Sequence, residues 1–225
     1  THDFDGSLTY NGTGAKKNNY LINLLSRLEN KNRQENDFYK KDPMPFHETI
    51  EAEISRNTEE LYLFLKHNPN SELFIKIAKS SIKYHYFTRK ELYPYRHFGT
   101  NKLNDFKGLP LTFYNFRKDI TYNDKDLKDF YPYYNFMFPH INNLAFEQLI
   151  TVNTNFTLET NSLEYTEYKL VLIDSLITNS MIKNNLLKYT TRNFISNSKS
   201  IDKSYILYQS YLDKSTNTKD KIYIK

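Results

Sequence analysis

Residues 161–212 read NSLEYTEYKL VLIDSLITNS MIKNNLLKYT TRNFISNSKS IDKSYILYQS YL, and their pattern decides the fold class. Leu163, Thr166, Leu170, Ile173 and Ile177 recur at helical spacing. Ile182, Leu186, Tyr189 and Phe194 mark a second helix, and Ile201, Tyr205, Tyr208 and Leu212 a third. Each set draws an apolar stripe with a period near 3.6, the mark of a helix with one buried face. Asn161-Ser162-Leu163-Glu164 resembles a capping box with Asn at the cap. The short breaks near 179 and 199 predict that consecutive helices pack antiparallel.

The same period extends toward the N-terminus. Leu21, Leu24, Leu25 and Leu28 predict a helix from about Asn18, which the polar run Glu29 to Asn36 continues or ends. Asp42-Pro43-Met44-Pro45 reads as a break, because proline has no N–H to give a helical ladder. Ile50, Ile54, Leu61 and Leu65 predict a helix over 46–67. Ser71 reads as the N-cap of another over about 71–92, with Phe74, Ala78, Ser81, Ile82 and His85 on one side. Together these two make an αα-hairpin.

From Tyr93 to Asp129 the pattern fragments around Pro94, Gly99, Gly108 and Pro110. Leu111 to Ile120 reads as a short helix with Phe113 and Phe116 turned inward. The stretch 130–152 is rich in aromatic residues. Its second half reads as helical, and Pro132 and Pro139 limit the first. Residues 1–16 alternate weakly before Gly12 and Gly14, and read as an extended arm or the remnant of a preceding β region. The tail from Thr216 to Lys225 is polar and ends abruptly. The expected architecture is all-α: an antiparallel helical bundle or array over 17–225, with a short extended arm before it.

Composition bounds the chemistry. The 225 residues contain no cysteine. That excludes thiol–disulfide exchange, structural disulfides and cysteine-bound metal within this chain. Tyr and Phe, at 20 and 16, carry much of the expected core, while 5 glycines disfavour a turn-dense β-sandwich. The net charge of +5 is spread along the chain, with pure basic runs no longer than Lys16-Lys17 and Lys40-Lys41. A nucleic-acid surface concentrates its basic residues, so no nucleic-acid partner is expected. No apolar run approaches the roughly 18 residues that a spanning helix needs.

Complete catalytic signatures are absent: no phosphate loop, dinucleotide fingerprint, nucleophile elbow, zinc-protease helix or calcium loop. His85 and His97 bracket Glu91, but twelve residues separate the histidines, against the three or four of a helical metal pair. A pocket joining the three would be needed to revive an enzyme reading. His2, His67 and His140 read as surface or loop residues. Glu51 with Glu53, and Glu59 with Glu60, do not share a helix face and read as solvated. Asp124, Asp126 and Asp129 lack the glycine of a calcium loop. No catalytic residue, cofactor or metal is therefore assigned. The candidate partner-binding residues are the aromatics Tyr131, Tyr133, Tyr134, Phe136 and Phe138; closing a core beneath a loop is the competing role.

Several stretches resemble a known family. They are Gly14-Ala15-Lys16-Lys17-Asn18-Asn19-Tyr20-Leu21, the hairpin Leu61 to Tyr86 with the Tyr93-Pro94-Tyr95 segment, and Leu111 to Phe116 followed by Asp119-Ile120. The closing run, Ile173 to Ile177 through Ile182 to Leu187, is the strongest part. Together they resemble the helical region upstream of the thioredoxin domain in TlpA-like bacterial thiol–disulfide oxidoreductases. That family's active site is a CxxC pair on the thioredoxin domain, and no position here matches it. The resemblance implies a non-catalytic helical module, periplasmic or outer-membrane-anchored, cut from a longer protein or encoded alone. Its expected partners are a C-terminal thioredoxin-like domain of the same polypeptide, a protein substrate, or a second copy. The alternative is a free-standing α-helical scaffold that binds a protein or peptide.

Overall fold

The computed structural model describes residues 8–30, 38–99, 108–152, 156 and 163–224. Among them are eight α-helices, two short 3-10 helices and no strand, so the fold is all-α. The chain gathers into two compact units, Thr1–Asn115 and Phe116–Lys225.

In the first unit, Gly12 and Gly14 take positive φ and turn the chain into α1 (Ala15–Asn30), three residues before the expected start. Residues 8–14 form no strand, and residues 1–7 of the expected arm lie outside the described residues. Leu24 and Leu28 of the leucine stripe are buried. α2 (Pro43–His67) opens within the stretch read as a break. Both prolines sit in its first turn, where an N–H needs no helical partner, so they begin the helix and do not interrupt it.

α3 (Glu72–Phe98) is capped by Ser71, whose Oγ accepts the Phe74 N–H at 3.3 Å. It runs past the expected end near 92 and contains Pro94. A proline inside a helix costs about 3 kcal/mol. The burial of Tyr93 against Phe46 offsets that, with ring centroids 3.9 Å apart. The Tyr93 hydroxyl donates to the Lys41 carbonyl at 2.7 Å, and His97 Nδ1 lies 2.9 Å from the Tyr39 carbonyl. These contacts hold the last turn until Gly99 ends it at φ 79°. α2 and α3 form the expected hairpin, and Phe46, Ile50, Leu61, Ala78, Ile82, Tyr86, Tyr93 and Phe113 make its core.

In the second unit, a 3-10 turn (Asn115–Asp119) stands where a short helix was expected, with Phe116 buried. Asp124 caps the next 3-10 turn, Lys125–Leu127. α4 (Tyr131–Val152) is helical throughout, including the half that its prolines left open. Pro132 falls in the first turn, where it is tolerated, and Pro139 is carried inside a densely buried face. α5 (Leu163–Leu176) starts where expected; Asn161 and Ser162, the proposed cap, lie outside the described residues. α6 (Ser180–Asn197) is capped by Asn179, whose Oδ1 accepts the N–H groups of Met181 and Ile182, both at 3.1 Å. α7 (Ile201–Lys214) is capped by Ser200. These three helices pack pairwise on one another, and α4 packs on α5.

The polar tail forms one more helix, α8 (Thr218–Ile224). The Asn217 side chain caps it, and Asn184 of α6 holds the turn before it. Asn184 Oδ1 accepts from Ser215 Oγ at 3.0 Å and from the Thr216 N–H at 2.9 Å. A seven-residue helix cannot stand alone in water, so this buried asparagine and the Lys188–Asp220 ion pair at 2.6 Å supply what propensity does not.

The first unit's stability should follow its aromatic stack. Phe46→Ala should destabilise it by about 3–5 kcal/mol, whereas Tyr93→Phe, which loses one hydroxyl bond, should cost only about 1 kcal/mol. Amide hydrogen exchange over 43–98 reads both; equal losses would contradict this packing.

Candidate functional site

α4 divides the five candidate aromatics among three environments. Tyr133 and Phe136 are fully buried. The Tyr133 hydroxyl donates to the Tyr122 carbonyl at 2.8 Å, and Phe136 stacks on His140 with centroids 5.2 Å apart. These two belong to the core, as the competing reading held. Tyr131 is 68% exposed at the helix start. Tyr134 and Phe138, four residues apart and so on one helix face, are half-buried.

Those two residues line a cleft of about 270 Å³ with Asn185, Lys188, Tyr189 and Arg192 of α6. The α6 positions follow the spacing i, i+3, i+4 and i+7, which places them on one face. Phe138 and Tyr189 meet with ring centroids 4.1 Å apart, and Tyr189 remains 54% exposed. The Tyr134 hydroxyl donates to the Lys128 carbonyl at 2.6 Å and accepts from Asn185 Nδ2 at 3.1 Å. Burial pushes the Tyr134 phenol above its ordinary pKa; the hydrogen bond from Asn185 opposes the shift. The wall is thus aromatic and the rim is cationic.

The sequence named Tyr134 and Phe138 as binding candidates and placed Tyr189 on the apolar stripe of its helix, whereas Tyr189 is 54% exposed on the cleft face. Asn185, Lys188 and Arg192 read as solvated surface, and only their spacing hinted at a shared face.

The polar residues considered for catalysis sit apart. Twelve helical residues separate His85 from His97, a rise of about 18 Å along α3. His97 is engaged by the Tyr39 carbonyl and stacks on Tyr93 at 4.9 Å. Glu91 is fully buried. His140, read from sequence as a surface or loop residue, is instead buried in α4, with Nε2 2.8 Å from the Tyr122 hydroxyl. The missing signal was its partner, which lies 18 residues away in a segment with no periodicity.

The glutamates mostly serve as tethers. Glu51 pairs with the buried Lys90, and Glu53 accepts from Arg56 at 2.7 Å and from the Tyr86 hydroxyl at 3.1 Å. Glu59 accepts from Ser55 at 3.3 Å, and Glu60 pairs with Arg27. His47 stands near the Lys90–Glu51 pair, 4.0 Å from Glu51; burial first, then the Lys90 charge, lowers its pKa. Asp124 Oδ1 accepts the Asp126 N–H at 3.0 Å and so caps a turn. Among the described residues no three histidine or acidic side chains gather as a metal site would require. No helix among them is long and apolar enough to cross a membrane.

No family model matches the chain, and no curated protein or solved structure matches it.

Core and cleft aromatics should separate by mutation. Tyr133→Ala and Phe136→Ala should each lower stability by about 3–5 kcal/mol, and Tyr131→Ala should change it by less than about 0.5 kcal/mol. Urea denaturation followed by circular dichroism distinguishes these outcomes.

Proposed function

We propose that this chain is a non-catalytic helical module that holds a peptide segment of a partner protein in the cleft between α4 and α6. The single observation behind this reading is the cleft's composition: three exposed or half-exposed rings, a side-chain amide and two cationic side chains on facing helices. Aromatic and arginine side chains are the residue types that dominate protein–protein contacts. A volume of about 270 Å³ lies just below the usual range for small-molecule sites and suits one or two inserted side chains.

The occupant is an acidic segment with an apolar centre. Its apolar side chain would rest on Phe138 and Tyr189, and its carboxylates would face Lys188 and Arg192. Lys188 also pairs with Asp220 at 2.6 Å, and both charged side chains of the rim, Lys188 and Arg192, are cationic. That favours acidic over basic peptides by steering and by avoided repulsion. In the setting that the resemblance implies, the module would stand ahead of a thioredoxin-like domain in the periplasm or at the outer membrane. The peptide would then belong to a protein substrate of that domain.

Two synthetic hexapeptides with a Leu-Phe centre, one flanked by glutamates and one by lysines, test the reading by amide NMR titration. The glutamate peptide should shift resonances over 134–138 and 185–192, and Phe138→Ala should weaken it about tenfold with the fold intact, as for the loss of an interface anchor. Equal response to both peptides, or none to either, would contradict it.

A further inference from the structure

α6 turns two adjoining faces to different tasks, and Lys188 belongs to both. Asn185, Lys188, Tyr189 and Arg192 line the cleft. Asn184 and Lys188, four residues apart and so on one helix face, hold the chain's tail. Asn184 takes the turn at Ser215 and Thr216, and Lys188 Nζ donates to Asp220 Oδ1 of α8 at 2.6 Å. The ion pair is partly shielded, with side chains 31% and 14% exposed. Asp220 Oδ2 accepts from Asn217 Nδ2 at 2.7 Å, so the carboxylate is anchored within the tail itself.

Polar contacts hold α8 in place. None of its residues from Thr218 to Ile222 is buried, and Ile222 is 73% exposed. Besides the ion pair, the Tyr208 hydroxyl donates to the Lys221 carbonyl at 3.2 Å, and Lys221 Nζ donates to the Leu212 carbonyl at 2.6 Å. A helix of seven residues has little stability of its own. With so little apolar area buried, its docking belongs to the weakly held end of the structure, where one charge contact shifts the balance.

We propose that α8 is a displaceable regulator of the cleft: Asp220 occupies Lys188 while the cleft is empty, and a carboxylate of an acidic peptide takes Lys188 over and frees α8 from α6. The inference rests on the peptide-binding reading of the cleft. Asp220 is an internal competitor for the rim cation. Two carboxylates on one ammonium repel each other, so the incoming group and Asp220 disfavour one another. The coupling is reciprocal: whatever docked α8 takes from peptide affinity, bound peptide takes from α8 docking.

The glutamate-flanked Leu-Phe hexapeptide is the probe, titrated by amide NMR into the whole chain and into Asp220→Asn and Asp213→Asn. Asp213 is exposed on α7, so its variant makes the same change in net charge outside the ion pair. Asp220→Asn should bind the peptide about fivefold tighter, the low end for coupled sites, and Asp213→Asn should bind as the unaltered chain does. In the unaltered chain, the peptide should move the chemical shifts over 218–222 toward coil values. Lys188→Met should do the same without peptide. Equal gains in both asparagine variants, or α8 shifts that neither Lys188→Met nor bound peptide moves, would overturn the proposal. If the peptide shifts 134–138 and 185–192 while α8 stays helical, the coupling fails and the cleft reading stands. If neither the unaltered chain nor Asp220→Asn takes up the peptide, the cleft reading fails and the coupling with it.

Discussion

A tyrosine ring placed in a helical core brings a hydroxyl that is costly to leave without an acceptor, and the bonds that satisfy it tie much of each unit together. Five tyrosines find an acceptor in the same way, by donating to a main-chain carbonyl between 6 and 52 residues away. Tyr93 reaches Lys41, Tyr133 reaches Tyr122, Tyr134 reaches Lys128, Tyr165 reaches Asn142 and Tyr208 reaches Lys221. Each bond contributes only about 1 kcal/mol net. Leaving the hydroxyl or the carbonyl buried and unpaired would cost more. Most of these bonds run from a helix to a connecting segment. A chain without disulfides thereby gains fixed links between loops and helices, and the ring of each tyrosine fills core volume as it does so.

The periodic parts of this arrangement were legible in the sequence. The stripe over 163–177, the α2–α3 hairpin and the Ser71 cap all appear as local patterns, because a helix face repeats every three or four residues; in α7 the expected stripe is displaced, with Ile201 and Tyr205 exposed and Leu207 and Tyr211 buried. What escaped depends on contacts distant in sequence. Pro94 reads as a stop, yet the stacking of Tyr93 on Phe46 and the bond to Lys41 carry α3 past it. Pro43 and Pro45 read as a break, although the first turn of a helix tolerates both. The polar tail gave no helical signal, since α8 depends on Asn184 and Lys188 from another helix. His140 looked solvated for the same reason: its partner, Tyr122, lies in a segment without a period.

The candidate site shows the same division. Sequence placed five aromatics together, and α4 then distributes them by angle. Tyr133 and Phe136 turn to the core, while Tyr134 and Phe138 turn to the rings and cations of α6. An aromatic–cationic cleft of this size offers contact area and charge, and the proposed peptide-binding role draws on both.

The central claim is that buried tyrosines fasten the fold, and spectrophotometric titration of the phenols tests it most directly. Burial raises the pKa of Tyr86, Tyr93 and Tyr165 well above the ordinary phenol value. A group whose folded pKa is raised holds its proton in the native state after the unfolded chain would lose it. The stability it contributes is therefore present below about pH 10 and is lost as pH rises further. The account predicts two classes: exposed tyrosines ionising near pH 10, and a buried class ionising only as the helical circular dichroism collapses. A single transition near pH 10 for all 20 tyrosines, with the helices intact, would contradict it.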